Sequence, residues 1–159
     1  MKYTVITPDG ELTHHDDKID WDAVIGHEGK AHVRLHPSLA SAGWVNDVGL
    51  LFPETHPRNA VGSCLLVAMG ARPQPYAGPV VITGWDSNSE TSEICSLLLP
   101  ADAVTELHRR VRAALNGDSD PHFGPQWAQG MRTFAERVRT DPTRGITITP
   151  ITNLPGGAS

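Results

Sequence analysis

A chain of 159 residues, 39% hydrophobic and 19% charged, is long enough for one domain with a substantial core. Its formal net charge of −5 argues against a general nucleic-acid binder, and its longest apolar run, Leu65 to Met69, falls far short of the ~20 residues that cross a bilayer. Cys64 and Cys95 lack CxxC spacing and read as buried thiols, and the N-terminal M-K-Y-T-V-I-T-P-D-G has no apolar signal core, so a cytoplasmic protein is expected.

The β-branched and aromatic run Tyr3 to Thr7, the turn signal Pro8-Asp9-Gly10 and Glu11 to His15 predict an opening hairpin. Asp20 is placed to cap a short helix over Trp21 to Ile25 that stops at Gly26. Apolar and polar residues alternate from His32 to His36, as in a half-buried strand ending at Pro37. Trp44-Val45, a turn at Asn46-Asp47 and Gly49 to Phe52 predict a tight β unit.

Asn59 suits the N-cap of a helix, its side-chain oxygen accepting from Val61 or Gly62. Val61, Leu65 and the Ala68/Met69 pair make one stripe at helical spacing, stopped at Gly70. Val80 to Thr83 does not alternate, which predicts a strand covered on both faces and closed by Gly84; Ile94 to Leu98 predicts another. The period then becomes helical. Val104, Leu107, Val111 and Leu115 form one stripe, and Trp127, Met131, Phe134 and Val138 a second, joined by a short linker that favours antiparallel neighbours. Ile146 to Thr149 reads as a last strand and residues 154–159 as a disordered tail. The fold class is α+β: a mixed or antiparallel sheet carrying one short capped helix, with a C-terminal pair of helices. One domain over 1–153 is expected, sheet-rich in 1–99, with the helical pair and last strand in 100–153.

The order W-V-N-D-x-G-L, R-N-x-x-G-S and Y-A-G-P-V-V-I-T-G, after the hairpin, short helix and V-R-L strand, resembles the DUF3846 family of small actinobacterial and actinophage proteins of unknown function. The resemblance covers about residues 2–85 and rests most on Asp47-Val48-Gly49, Arg58-Asn59 and Gly78-Pro79-Val80-Val81. It implies a compact α+β domain and a tie to phages or mobile elements, hence a host cytoplasm as the place of action. It implies no established activity.

The candidate ligand site is the helix start at Arg58, Asn59, Gly62 and Ser63. A helix N-terminus offers unpaired amides and partial positive charge, Gly62 allows close approach, and Arg58 adds a fixed cation. Arg72, Tyr76 and Trp85 are residue types that grip and stack on nucleotides, and Asp47 completes the candidate set. No Lys follows the glycine, so the segment is not a P-loop. His14-His15-Asp16-Asp17 places neighbours on opposite strand faces, and His27 to His32 is one residue too long for H-E-x-x-H, so no metal site is assigned. Ser63 lacks the second glycine of a nucleophile elbow, and no catalytic residue and no cofactor are assigned. Arg109, Arg112 and Arg137 are read as the polar face of the helices.

The residues supply no catalytic constellation, and the resemblance implies the phage link. Together they lead to the expectation of a non-catalytic phage or mobile-element accessory protein that binds a small anionic, nucleotide-like ligand or a host protein, in counter-defence or regulation. A small nucleotide-acting hydrolase or transferase and a nucleic-acid-binding regulator are the alternatives. No membrane partner is expected, and self-association into a homo-oligomer is left open.

Overall fold

A computed structural model describes residues 1–88, 90 and 92–141 of the chain. Strands β1 (Tyr3–Ile6) and β2 (Leu12–His15) form the expected hairpin, Tyr3 lying opposite His15 and Ile6 opposite Leu12. Helix α1 (Trp21–Val24) follows, with the Asp20 side chain accepting from the Ala23 amide at 3.1 Å. Strand β3 spans Lys30–Arg34, two residues earlier than the alternating run suggests. His36 is drawn out of the strand because its amide donates to Met69 O and its Nδ1 accepts from the Ser38 amide at the start of a 3-10 turn over Pro37–Leu39.

Strand β4 (Ser41–Asn46) pairs antiparallel with β3 on one side and with β5 (Val80–Asp86) on the other. The expected β unit at Gly49 to Phe52 is therefore absent: Gly49–Leu51 is a 3-10 turn. Both edges of β4 are already occupied, so a returning strand has no place beside it, and Asn46 Oδ1 accepts from the Val48 amide to fix the turn. Strand β5 is buried over Val80 to Thr83, as its non-alternating sequence predicts. It does not stop at Gly84 but runs on to Asp86, where β6 (Glu93–Cys95) pairs with it. A Cβ at Gly84 would run into the carbonyl of Ser96, so the glycine serves the close approach of the neighbouring chain rather than a stop.

Every strand pair in the sheet is antiparallel, in the order β2-β1-β5-β4-β3, with β6 paired to the far end of β5. One face of the sheet carries helices α2 (Ala60–Ala68), α3 (Ala101–Leu115) and α4 (Gly124–Thr140). Leu65 and Leu66 of α2 pack with Ile6, Val80 and Ile82 beneath, and α3 and α4 close over α2 with Val104, Val111, Met131, Ala135 and Val138. Sandwiched between two layers, α2 is buried nearly all round rather than along one stripe. The other face holds a smaller cluster: Tyr3, Val5, Ala42, Trp44 and Val81 under Ile19, Ile25 and Trp21.

The hairpin is tied to the helices by histidines. His14 lies between Thr4 Oγ1 at 2.8 Å and Thr105 Oγ1 at 2.7 Å, and His108 Nε2 donates to Gly10 O at 2.7 Å. The arginines of α3 form ion pairs at the surface, Arg109 and Arg110 with Glu106 and Arg112 with Glu11. Among the described residues no helix is long and apolar enough to cross a membrane. The expected strand at Ile146 to Thr149 and the tail at 154–159 lie outside the described residues.

Candidate functional site

The helix start is built as the sequence suggests, but it is shut. Asn59 is fully buried; its Oδ1 accepts from the Gly62 amide at 2.7 Å, and its Nδ2 donates to Ile6 O at 3.0 Å and Gly78 O at 2.9 Å. The Ser63 amide donates to Asn59 O, and Ser63 Oγ accepts from the Tyr76 amide at 3.0 Å. A Cβ on Gly62 would lie 2.7 Å from Asn59 Oδ1, so the residue is small to admit the cap, not a ligand. The Arg58 guanidinium donates to Val138 O at 2.8 Å and Asp141 O at 2.7 Å, the carbonyls that end α4. Burial pulls its pKa below the usual guanidinium value, and Asp141 opposes that shift. Arg58, Asn59, Gly62 and Ser63 thus join α2 to the sheet and to α4.

The other four predicted residues line cavities around strand β3 at the edge of the sheet, and Tyr76 links the two regions because its backbone also bonds Asn59 and Ser63 at the helix start. Arg72 and Tyr76 border a groove of about 520 Å³ with Arg34, His36 and Gln74. Trp85 borders a cavity of about 430 Å³ with His32, Arg34 and His36. Asp47 borders a third, of about 460 Å³, with His32, Gln74 and Tyr76. His32 lines all three cavities, and Arg34 two of them. The sequence brings attention to Arg72, Tyr76, Trp85 and Asp47 but misses His32, Arg34, His36 and Gln74 as their companions. The alternation in H-V-R-L-H signals a strand face, yet nothing local says that this strand is an edge.

Arg34 and Arg72 are exposed and form no ion pair with a described residue, unlike Arg109, Arg110, Arg112 and Arg139. Tyr76 is less available than its type suggests. The residue is 4% exposed, its hydroxyl donates to Arg72 O at 3.1 Å, and burial pushes its pKa up. His32 stacks on two tryptophans, with ring centroids 5.0 Å from Trp44 and 4.6 Å from Trp85. Although the residue as a whole is exposed, its ring is partly desolvated, and this and, secondarily, the charge of Arg34 hold its pKa below the ordinary imidazole value, so a neutral ring is favoured.

A second polar cluster is structural. His56, buried, donates from Nε2 to Glu28 Oε1 at 3.1 Å, while Glu28 Oε2 accepts from Asn46 Nδ2 at 3.1 Å. The hydrogen bond from His56 chiefly, with Asn46 assisting, draws the Glu28 carboxyl down to about 2. Cys64 is fully buried and burial pushes its thiol up to about 12, which makes it a poor nucleophile. Among the described residues no three His, Cys, Asp or Glu side chains gather where they could hold a metal ion. Compared with known protein-family models, curated proteins and solved structures, the chain matches none.

Proposed function

We propose that this protein is a non-catalytic accessory protein of a phage or mobile element that binds a small anionic, nucleotide-like ligand in the groove along β3. It acts in the host cytoplasm, in counter-defence or regulation, as the resemblance of residues 2–85 to the DUF3846 family implies. One observation carries the ligand reading. Arg34 and Arg72, exposed and without ion pairs to described residues, border the same open groove with His36. Two arginines bordering one open groove offer a phosphate or carboxylate more than one charge-assisted donor.

The test is calorimetric titration of the full chain with inorganic phosphate and a nucleotide panel, at low and moderate salt. Arg34→Ala and Arg72→Ala should each weaken anion binding, while Arg58→Ala leaves it unchanged. Binding that survives both groove substitutions and is lost with Arg58 would overturn the location. Asp47 and His32 border one cavity, which gives the alternative of a nucleotide hydrolase or transferase its geometry. Product formed from a nucleotide and abolished by His32→Ala would favour that alternative.

A further inference from the structure

Three neighbouring strands present aromatic rings on the face of the sheet opposite the large helices. Trp44 on β4 lies directly opposite His32 on β3, and Trp85 on β5 stands on the same face two residues beyond Thr83. The three rings form one cluster: Trp44 and Trp85 are 5.8 Å apart, and His32 is inclined at 27° to each. Trp44 is anchored, 6% exposed, with Nε1 donating to Thr83 Oγ1 at 2.9 Å. It belongs to the core. His32 and Trp85 do not finish that way: His32 is exposed, Trp85 half-buried, and both border the cavity of about 430 Å³ with Arg34 and His36.

We infer that the ligand is a nucleotide whose base stacks on the Trp85–His32 pair while Arg34 holds its phosphate. This rests on the anion-binding reading above and names the ligand more narrowly. The chemistry is complementary in two parts. His32 and Trp85 are already stacked on each other, and the solvent-facing end of that stack can take the planar ring of any base, because every base has a π face. The guanidinium supplies a charge-assisted fork for phosphate oxygens. Arg34 also borders the groove that contains Arg72, so phosphate bound at Arg34 lies where the two cavities meet. The cavity volume falls within the range of small-molecule sites. A sugar phosphate would satisfy the arginine and leave the rings uncovered. The same unit comes either as a free nucleotide or within a single strand, and the two sources are separable.

Tryptophan fluorescence of the full chain is titrated with inorganic phosphate, ribose 5-phosphate, a panel of mononucleotides and a short single-stranded oligonucleotide. Nucleotides should quench the emission and bind more tightly than ribose 5-phosphate. Trp85→Leu should weaken nucleotide binding by about 5- to 150-fold, the size of one base–aromatic stack, with ribose 5-phosphate affinity unchanged. His32→Ala, at an exposed position, should reproduce the loss if Trp85→Leu perturbs folding. A higher affinity per nucleotide for the oligonucleotide, falling steeply with salt, assigns the unit to a strand; equal or weaker binding assigns it to the free nucleotide, and both support stacking. Nucleotide bound no more tightly than ribose 5-phosphate overturns the stacking inference and leaves the anion site standing. Failure of every anion to bind overturns the anion site as well.

Discussion

The guanidinium of Arg58 reaches across the fold to the carbonyl of Val138 at 2.8 Å, so the residue before the cap of α2 closes the last turn of α4. A cation that sequence alone assigns to a ligand is thereby spent on a helix end, where exposed carbonyls carry partial negative charge. Arg58→Ala should destabilise the protein by ~1.5–3 kcal/mol, the usual worth of hydrogen bonds from a charged group. Urea unfolding measures it, and an unchanged midpoint would show that these bonds contribute nothing net.

Asn59 satisfies three backbone groups at once: the Gly62 amide and the carbonyls of Ile6 and Gly78. Asn59→Ala removes the cap and takes one donor from each of two buried carbonyls, with an expected cost of ~2–4 kcal/mol. Gly62→Ala attacks the same cap from the other side, since the new methyl would press on Asn59 Oδ1. The double variant should therefore lose less than the two single losses added together. Full additivity in denaturant titrations would argue against one shared cap.

Acid should weaken the fold through Glu28 and Glu106. Each carboxyl is lowered from 4.5 to about 2, Glu28 chiefly by His56 and Glu106 chiefly by Arg109. A carboxyl with a depressed native pKa stabilises fully above its unfolded value, and that contribution fades as pH falls from about 4.5 through about 2. Glu28→Gln should flatten part of this acid limb. An identical pH profile for the variant would remove Glu28 from the account.

Thiol chemistry should separate the two cysteines. Cys95 is partly exposed, whereas Cys64 is fully buried in α2 with its thiol raised to about 12. An aromatic disulfide reagent should modify Cys95 in the native protein and reach Cys64 only on unfolding. Equal rates for both would mean that α2 opens readily.

At Gly84 the obstacle to a side chain is backbone, the Ser96 carbonyl, which cannot swing aside as a side chain can. Gly84→Ala should cost ~1–3 kcal/mol by forcing β6 away from β5. Loss of hydrogen-exchange protection confined to residues near Cys95 would locate the damage.

Local patterns settle much of this fold because their physics is local. Pro8-Asp9-Gly10 makes the first hairpin, Asp20 and Asn59 cap the helices they precede, and the stripes through Val104 and Met131 mark the C-terminal helices. Of the two capping partners expected for Asn59, Val61 and Gly62, the structure takes Gly62, and the choice is that narrow because an N-cap reaches only two or three positions along its own helix. Where the sequence leads elsewhere, the deciding contact spans tens of residues. Gly49–Leu51 turns instead of returning because β3 and β5 already flank β4, and Gly84 continues its strand because Ser96 packs over it.

The site divides along the same line. Sequence alone determined that a capped helix begins at Asn59 and that Arg72, Tyr76 and Trp85 are chemically suited to a nucleotide. Only tertiary packing decided that the helix tip is sealed between β1, α4 and the segment leading into β5, and that Arg34 and His32 stand beside the remaining candidates at the rim of β3. A cap depends on neighbours within one turn, whereas accessibility depends on which remote segment covers the residue, and no local pattern carries that information.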